Sequence, residues 1–475
     1  MEDRLRHKCG VFGVFGKGLD VSKITYFGLY ALQHRGQESS GIAVSNGKKI
    51  SSHKGAGLVA QIYTEQILKK LKGNIAIGHN RYSTSGGAHG AHTQPVCVKG
   101  DKMALAHNGN LPVLEKLENF LTAKGLKTQG HNDSELMHMA ISYYLKKGES
   151  IENAVRLSFP LFTGSFCLLI MTKDKLVAVR DAFGIRPLSL GKTKEGYIVS
   201  SETCAIDTVS AEYLRDVNPG EMVVISQNGL RSYKLENASQ KLDIFELVYF
   251  ARPDSILLGK RVHNIRRRLG QELAREVKID ADVVIPVPDS AIPAAIGYAA
   301  ASGIPFDFGL VKNRYIGRTF ILPEQRLREN SVQMKLNPIH DIIDGKKVIV
   351  IDDSIVRGTT LRKLVELLKK TGAKEVHVLS SSPPVVYPDF YGIDTPDQKE
   401  LIAFHKTIQQ IQEYIGADSL HYLSYDGLIK ATDLSEDLFC MSCFTGEYPI
   451  DIGENYKSIG VPKARGKGVR IKTKD

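Results

Sequence analysis

Hydrophobic and polar residues alternate in two different ways along this chain, and the change in pattern divides it into two parts. From Cys9 to about Leu235, short runs rich in β-branched and aromatic residues are separated by Gly and Asn, which is typical of strands and turns. Helical periodicity predicts two helices in this part, Leu111–Lys124 and Ser134–Lys147, the second with Asp133 as its N-cap. Many strands with few helices predict layered α+β packing. The clearest predicted strands are Cys9–Phe15, Ile75–Gly78, Met103–His107, Phe166–Met171 and Tyr197–Ser200.

The second part alternates strand-like and helical segments, the pattern of a parallel sheet with crossover helices. The polar stretch Glu236–Lys241 separates the two parts. We therefore predict one domain over residues 9–240 and a second over residues 241–450, followed by a basic tail at residues 451–475. The predicted strands of the second domain are Ala281–Pro286, Pro305–Val311, Lys346–Ile351 and Glu375–Leu379.

One βαβ unit of the second part carries a candidate phosphate site. The apolar run Lys347–Ile351 is followed by a loop from Asp352 to Thr360, and then by leucine and valine at helical spacing. In open α/β sheets, ligands bind beyond the carboxyl ends of the strands, where this loop must lie. A loop rich in Ser, Gly and Thr that leads into a helix offers backbone N–H groups and a positive dipole end to an anion. The sequence therefore predicts a phosphate monoester as ligand.

Asp352 and Asp353 at the start of this loop need a partner, because adjacent carboxylates repel each other. Ribose hydroxyls, a divalent cation or the N–H groups of the following helix could each neutralise them. The alternative is that one carboxylate caps the helix while the other is solvated.

Composition and charge narrow the class of protein. The 475 residues are 42% hydrophobic and 24% charged, as expected of a folded protein with more than one domain. The net charge of +11 allows nucleic acid, anionic membranes or phosphorylated small molecules as partners. The basic residues lack interleaved aromatics, so binding to nucleic acid is not predicted. The six cysteines are sparse, and no secretory signal or membrane-spanning run is present, so we predict a cytoplasmic protein.

Several motifs resemble known families. Val348–Thr360 resembles the phosphoribosyl diphosphate (PRPP) fingerprint of type I phosphoribosyltransferases. Five motifs of the first part resemble the class II glutaminases, which use an N-terminal nucleophile. Joined in this order, the motifs resemble the amidophosphoribosyltransferases, which make 5-phosphoribosylamine from PRPP and glutamine in the first step of purine synthesis. The resemblance implies a layered αββα glutaminase domain and an α/β domain with a mostly parallel sheet. The five motifs are Cys9–Gly13, Leu32–Glu38, Gly78–Tyr82, His107–Asn110 and Asp133–Glu135.

The resemblance makes Cys9 the nucleophile of the glutaminase. Its own α-amino group, with a reference pKa of about 7.7–8.0, can take the thiol proton directly or through one water. Because Cys9 is internal, Met1–Lys8 must be a leader that is removed, and the encoded chain an inactive precursor. The alternative is a structural cysteine at the start of a strand, the role expected of Cys97, Cys167 and Cys204.

The resemblance assigns four further residues of the first part. The side chain of Asn108 and the backbone N–H of Gly109 would hold the oxyanion that forms during attack on glutamine. Arg81 and Asp133 would bind the carboxylate and the ammonium group on the α-carbon of glutamine. His107 is interpreted as a structural residue.

In the second part, the resemblance implies a Mg²⁺–PRPP site and a mobile loop that closes over it. The alternative for that loop is a basic, solvated segment. The predicted metal ligands are Ser290, Asp352 and Asp353. The predicted PRPP-binding residues are Asp289, Lys312, Arg314, Asp352, Asp353, Ser354, Arg357, Gly358, Thr359 and Thr360.

Some members of this family carry a four-cysteine iron–sulfur cluster. Here Cys440 and Cys443 match half of the ligand set, and Asp243 and Asp389 stand at the other two positions. Carboxylates are poor substitutes for thiolates on such clusters. We therefore predict no stable [4Fe-4S] cluster, while zinc or a redox pair at the two cysteines stays open. The resemblance also implies feedback inhibition by purine nucleotides and a homo-oligomer, either a dimer or a tetramer.

Two rival functions remain. A glutaminase of this class could deliver ammonia to another acceptor, but the PRPP loop argues against it. A PRPP-sensing regulator could bind nucleic acid through its basic surface, but such a protein has no use for a glutaminase.

Overall fold

A computed structural model describes residues 9–81, 92–98, 100, 102–313, 336–393 and 397–460. Over these ranges, the first half of the chain forms two antiparallel sheets of seven and six strands. In spatial order, the first sheet contains Glu212–Asp216, Ser189–Lys192, Gly196–Ser200, Gly10–Gly16, Ile75–Arg81, Ser39–Ser45 and Ile50–Ala56. The second contains Gly229–Lys234, Glu221–Ser226, Leu176–Arg180, Thr163–Met171, Ala104–Val113 and Val96–Cys97.

The two sheets face each other, and helices cover both outer faces. Val11 of the first sheet and Leu169 of the second are fully buried in the layer between the sheets. The residue next to each points outward: Phe12 packs with Leu29 on the outer face of the first sheet, and Leu168 belongs to the core on the outer face of the second. This period-two alternation builds the predicted αββα architecture, which is thereby confirmed. The helices here are Val21–Ala31, Val59–Ile62, Glu65–Lys70, Glu115–Ala123, Asp133–Lys146, Ile151–Ser158 and Thr203–Thr208.

Two predicted helix starts in this half are wrong. The strand Ala104–Val113 extends through Leu111, because its residues up to Asn110 and again at Val113 pair with Thr163–Met171. The helix therefore begins only at Glu115. The next helix begins at Asp133 itself, one residue before the predicted start, and Asn132 is the N-cap. Asn132 and Glu135 form a reciprocal capping box, which leaves the Asp133 carboxylate available for other contacts.

The second half has a parallel sheet with helices on both faces, as predicted. Within the described ranges, its strands lie side by side in chain order: Val283–Pro286, Lys347–Asp352, Glu375–Ser380 and Ser419–Tyr422. Ile349 and Ile351 face one core, and Val348 and Val350 face the other. The helices are Val262–Glu276, Ile292–Ser302, His340–Ile343, Thr359–Lys370, Ile402–His405, Ile408–Ile415, Tyr425–Thr432, Ser442–Thr445 and Asn455–Ser458, with a π-helix at Glu246–Phe250.

The predicted strand Pro305–Val311 is divided in the structure. Phe306 forms a single bridge with Val284. Leu310–Lys312 then pairs with Leu336–Pro338 as a separate antiparallel ribbon. The run reads as one strand in sequence, but its two ends bind different partners. Two further short pairs are Leu242–Asp243 with Phe439–Cys440 and Ile256–Leu257 with Lys260–Arg261.

The chain beyond residue 450 begins with folded structure. Ile452 and Tyr456 are buried together with Ile185 of the first half. Residues 461–475, which complete the predicted tail, lie outside the described residues, as does the predicted leader Met1–Lys8. No helix in the part of the chain described by the structure is long and apolar enough to cross a membrane.

Buried ion pairs join the two halves. Arg35 forms ion pairs with Glu202 of the first half and with Glu246 of the second, and all three side chains are fully buried. Arg186 also contacts Glu246, at 3.2 Å. Burial opposes the charge on Glu202, but His34 and Arg35 outweigh it and hold the pKa of that carboxyl well below its ordinary value. The junction is therefore charged as well as apolar.

Candidate active sites

Cys9 lies directly before the first strand of the glutaminase-like half and is half-buried. The next residue, Gly10, pairs with Asn80, the neighbour of Arg81. The register therefore places the start of this strand beside the end of the strand that carries Arg81, the residue predicted to bind the glutamine carboxylate. Tyr82, the last residue of that motif, lies outside the described residues.

Asn108 reaches the same region from the opposite sheet. Its side-chain amide donates to the Ser201 hydroxyl at 3.5 Å, and the backbone N–H of Val11 donates to the same hydroxyl oxygen at 2.9 Å. Ser201 in turn donates its backbone N–H to the Val11 carbonyl at 3.0 Å. Ser201 therefore ties the strand that follows Cys9 to Asn108, although no motif in the sequence indicates this role.

Gly109 has a backbone conformation that requires glycine. Its φ is +150°, and a Cβ atom built on it would lie 2.0 Å from the carbonyl oxygen of Ser165 on the neighbouring strand. Any side chain there would push the strands apart. The peptide of Gly109 is thus fixed within the sheet, as a preorganised hydrogen-bond donor should be.

Asp133 is held at the first turn of its helix. One carboxylate oxygen accepts the backbone N–H of Ser134 at 2.7 Å, and the other accepts that of Leu111 at 3.3 Å. The Leu111 contact anchors the helix start to the strand that carries Asn108. The geometry thereby brings Asp133 into the neighbourhood of the candidate oxyanion residues.

His107 is buried next to Asn108 in the chain and contacts the start of the helix that carries Asp133. Its Nδ1 lies 3.0 Å from the Ser134 hydroxyl and 3.7 Å from Asp133 Oδ2, and its backbone N–H donates to Gln94 Oε1 at 2.6 Å. Burial lowers the pKa of His107, with Asp133 opposing the effect. A neutral imidazole therefore fits this position.

The second half brings a different group together at the carboxyl ends of two parallel strands. Asp352 ends its strand, and the following Asp353 is buried. The hydroxyl of Ser290 donates to one oxygen of Asp353, and that of Ser354 donates to the other at 2.8 Å. Asp353 donates its backbone N–H to Asp352 Oδ1 at 2.9 Å. All three predicted metal ligands thus lie in one cluster of oxygen atoms.

Asp289 and Lys312 lie close by and form an ion pair of 2.9 Å. They line a cavity of about 550 Å³ together with Phe308 and Asn313. The predicted PRPP residue Arg314 lies outside the described residues. The cavity and the paired charges give this edge of the sheet room and polarity for a ligand.

The predicted phosphate loop lies between a strand and a helix as expected, but it is shorter than predicted. Gly358 is the N-cap, and Thr359 and Thr360, which the sequence predicts as part of the loop, are the first two residues of the helix. Their backbone N–H groups belong to the first turn, where no partner exists within the helix. Arg357 donates from Nε to Glu400 at 2.9 Å. The loop therefore presents a positive helix end together with a guanidinium that is already paired with a carboxylate.

The four residues at the positions that match the iron–sulfur ligands lie near one another. The side chain of Arg186 contacts the two carboxylates among them. Asp243 is opposite Cys440 in a parallel strand pair. Arg186 lies 3.6 Å from Asp243 and 3.7 Å from Asp389. Burial raises the pKa of Asp243 to about 8 and also raises that of Asp389, with Arg186 opposing both shifts. Burial also raises the pKa of Cys440 to about 12, so its thiol form is favoured.

Arg266 is a second residue whose position the sequence does not predict. It is buried and donates to the carbonyls of Leu247 and Ala251. Burial lowers the pKa of Arg266 to about 10, and Asp353 is the leading charge that opposes this shift. In the sequence it is one of three consecutive arginines, Arg266–Arg268, and no feature of the sequence distinguishes it from the other two.

Comparisons with known proteins agree with this architecture. Residues 79–208 match a glutamine amidotransferase domain family, and residues 254–382 match a phosphoribosyl transferase domain family. The amidophosphoribosyltransferase of Synechococcus elongatus is 49% identical over 462 residues, which is 96% of this chain and 94% of that protein. The protein of the same name from Methanocaldococcus jannaschii is 43% identical, covering 95% of this chain and 99% of its own.

Solved structures give the same result. The glutamine PRPP amidotransferase from B. subtilis, complexed with ADP and GMP, has a TM-score of 0.87 and 44% identity, and the match covers 94% of this chain and 98% of that one. A structure described as the allosteric regulatory enzyme of purine biosynthesis has a TM-score of 0.88 and 45% identity, covering 94% and 97%. With both domains, their order and nearly the full length matched, this chain belongs to the amidophosphoribosyltransferase family, as its motifs predict.

Proposed function

We propose that this chain converts PRPP, glutamine and water into 5-phosphoribosylamine, glutamate and diphosphate, with the two reactions divided between its halves. The observation that carries the proposal is the convergence on Ser201, where the strand following Cys9 meets the side chain of Asn108. We assign glutamine hydrolysis to residues 9–240 and PRPP chemistry to residues 241–450.

In the first half, the Cys9 sulfur attacks the side-chain amide carbon of glutamine. The carbon–nitrogen bond then breaks, ammonia leaves, and water hydrolyses the resulting thioester to glutamate. The α-amino group of Cys9 takes the thiol proton and passes it to the departing nitrogen, which requires that Met1–Lys8 has been removed. A thiol that is only half-buried can meet a substrate from solution, unlike the buried Cys167 and Cys204.

The remaining groups bind and orient glutamine. The amide of Asn108 and the N–H of Gly109 hold the developing oxyanion, and both are fixed by the sheet before substrate arrives. Arg81 binds the α-carboxylate and Asp133 the α-ammonium. Asp133 suits this role because the N–H groups of Ser134 and Leu111 fix its carboxylate in one orientation beside the strand that carries Asn108.

In the second half, the 5′-phosphate of PRPP binds at Ser354, Arg357, Gly358, Thr359 and Thr360, where the N–H groups of the first helical turn and the helix dipole favour an anion. Asp352 and Asp353 bind the ribose hydroxyls. Asp289, Lys312 and Arg314 contact the diphosphate region, with Lys312 supplying positive charge beside the described cavity.

Mg²⁺ fits the oxygen atoms gathered at Ser290, Asp352 and Asp353, because this ion commonly binds one or two carboxylates together with substrate phosphates. When bound, it would neutralise the charge of the leaving diphosphate. Ammonia then attacks C1 of the ribose as the bond from C1 to diphosphate breaks, with inversion. Neutral ammonia needs no general base, so the protein's task is to position it and to exclude water.

A [4Fe-4S] cluster does not fit the donor set at Asp243, Asp389, Cys440 and Cys443. Arg186 lies between the two carboxylates, and Asp389 Oδ1 also accepts two backbone N–H groups. Iron–sulfur clusters are held by thiolates, of which this set offers two. We propose that Arg186 and the carboxylates form a structural ion cluster here. Iron and acid-labile sulfide analysis of anaerobically purified protein tests this, and a stoichiometric cluster would contradict it.

Purine nucleotides as feedback inhibitors, and a homo-oligomer, are proposed on the family's pattern. The B. subtilis relative was solved with ADP and GMP bound, which supports nucleotide binding here. Inhibition assays with purine and pyrimidine nucleotides and light scattering of the purified protein test the two proposals. The cytoplasmic location stays a prediction.

The proposed mechanism is tested by intact-mass measurement after treatment with a glutamine analogue that carries a diazo ketone. We expect a chain that lacks Met1–Lys8 and bears one adduct on Cys9. The matched control is Cys97→Ser, since Cys97 is also only half-buried but belongs to a different strand, Val96–Cys97, and has no role in the proposed mechanism. This variant should still be labelled. An intact leader in fully active enzyme would refute the role of the α-amino group.

A further inference from the structure

A loop of the second half, residues 389–393, contacts the candidate oxyanion site of the first half. The carbonyl of Phe390 accepts a hydrogen bond from the Asn110 side chain at 2.8 Å. The carbonyl of Tyr391 accepts two from the Arg186 guanidinium, each at 3.2 Å. Two successive carbonyls of the second half are therefore bound by side chains of the first.

Two glycines, Gly392 and Gly109, approach each other closely where the loop meets the site. A Cβ atom built on Gly392 would lie 3.1 Å from the carbonyl carbon of Gly109, 3.2 Å from its Cα and 3.3 Å from its oxygen. These atoms belong to the backbone, so they cannot rotate away as a side chain would. Gly392 also has a φ of +107°, which disfavours any other residue. The loop thus packs directly against the Cα atom of Gly109 and the carbonyl group that joins Gly109 to Asn110.

The loop is stiff enough to serve as a support. One oxygen of the buried Asp389 accepts the backbone N–H groups of Tyr391 and Ile393, at 2.8 and 2.9 Å. The Tyr391 ring is fully buried, and its hydroxyl donates to the Ile450 carbonyl at 2.5 Å while accepting the Ile450 N–H at 3.0 Å. Hydrogen bonds within the second half therefore fix the loop independently of its contact with Gly109.

We propose that Gly392 and its loop are a positioning element for glutamine hydrolysis: by packing against the Cα and carbonyl group of Gly109, the loop fixes the backbone of this residue and so the direction of its N–H toward the oxyanion. The inference rests on the proposed role of Gly109. It has a clear consequence: the glutaminase site is complete only when the second half is packed against the first. Asp389 then acts through the loop, as a positioning residue whose carboxylate shapes the backbone.

The test compares Gly392→Ala with Gly303→Ala in the full-length enzyme. Gly303 ends a helix of the second half with a φ of +80°, but a Cβ there would have nothing within 4 Å. Both variants carry the backbone cost of alanine at positive φ, and only Gly392→Ala adds the contact with Gly109. The measured quantities are kcat and KM for glutamine, and PRPP turnover with ammonium salt as nitrogen source.

We expect Gly392→Ala to lower kcat for glutamine about tenfold or more, since small displacements of an oxyanion donor are costly. KM for glutamine and ammonia-dependent turnover should change less than about twofold, because neither uses the oxyanion donors. Gly303→Ala should match the wild type in all three. Retained ammonia-dependent turnover also shows that the variant is folded.

A second variant keeps the proposal testable if Gly392→Ala does not fold. Asn110→Ala removes the hydrogen bond to Phe390 without adding an atom, and we expect a smaller fall in the same kcat. Asn108→Ala in the same assay tests the proposed function itself. If Asn108→Ala hydrolyses glutamine normally, the oxyanion assignment fails. If Asn108→Ala is impaired while Gly392→Ala and Asn110→Ala match Gly303→Ala, the inference about the loop is overturned.

Discussion

The candidate glutamine site and the candidate PRPP site hold their polar groups by different means. In the first, Gly109 and Asn108 sit within a sheet and are fixed by backbone geometry and by Ser201. In the second, Lys312 at the end of a short strand is paired with Asp289, and Arg357 of the loop before a helix is paired with Glu400.

This difference matches the chemistry proposed for each half. An oxyanion is brief and singly charged, so donors must be in place before it forms. PRPP carries several negative charges and can compete with carboxylates for the cations of this site. The glutamine site therefore needs rigid donors, because the negative charge forms only during the reaction. Ion pairs that can exchange partners suit the PRPP site, because this substrate is already charged when it binds.

The variant Cys9→Ala distinguishes the activities of the two halves most clearly. We expect glutamine-dependent turnover to fall by about 10⁴-fold or more, because the proposed mechanism assigns the nucleophile to this thiol alone. Ammonia-dependent turnover of PRPP should stay within about twofold of wild type. Steady-state assays with both nitrogen sources measure the split. Equal loss with glutamine and ammonia would show that the two sites are not separable.

The variant Arg186→Met tests how much the buried ion pairs between the halves contribute to stability. The change leaves the buried carboxyls of Glu246 and Asp389 without this cation and the Tyr391 carbonyl without its donor, so we expect the free energy of unfolding to fall by about 3–5 kcal/mol. Urea denaturation measures the effect. The control is Arg215→Met at a partly exposed ion pair with Glu221, where about 1 kcal/mol or less is expected. A loss at Arg186 no larger than at Arg215 would contradict a structural ion cluster.

The second half is tested by Asp353→Asn. The carboxylate accepts from Ser290 and Ser354, and the proposal requires its charge for the ribose and the metal ion. We expect PRPP turnover to fall about a hundredfold with either nitrogen source, an effect of the size seen when one electrostatic group is removed. Asp280→Asn, at an exposed carboxylate paired with Lys347, is the control and should retain activity. A loss confined to the glutamine reaction would place Asp353 in the wrong site.

The smallest effect concerns pH and Asp243. Burial raises the pKa of its carboxyl to about 8, so the folded chain keeps a proton that the unfolded chain loses above about pH 4. Because the unfolded state then binds fewer protons, stability falls as pH rises between these values. Asp243→Asn removes this contribution. The difference in Tm between Asp243→Asn and the wild type, measured by calorimetry, should therefore shift in favour of the variant from pH 5 to pH 8. A difference that stays constant over this range would show that Asp243 is ionised throughout.

Local sequence predicts some features well because they depend on neighbouring residues. The strand Lys347–Asp352 and the helix Thr359–Lys370 are predicted to within two residues, since strand, loop and helix follow one another without interruption, and the phosphate site between them stays a prediction. The helix at Asp133 is predicted to within one residue, but the cap is Asn132 instead of Asp133. Both side chains are good caps, and only the reciprocal bond with Glu135 decides between them.

Other features cannot be predicted from any local window. Leu111 has the same apolar character in a strand as in a helix, and pairing across the sheet keeps it extended. Arg186 and Ser201 have no distinctive neighbours in sequence. Their roles arise from partners far along the chain, which sheet register and packing bring into contact.

The hydrophobic pattern of the sequence by itself determined the layered α+β packing of the first half, the parallel sheet of the second and the order of the two halves, because this pattern is set within a few residues. The two-layer αββα arrangement and the roles predicted for Cys9 and Asn108 came from the resemblance of contiguous motifs to a known family. Only the tertiary structure decided that Gly392 would pack against Gly109 and that Arg186 would lie between Asp243 and Asp389. Such contacts follow from the packing of whole layers, whose free energy is shared among many residues.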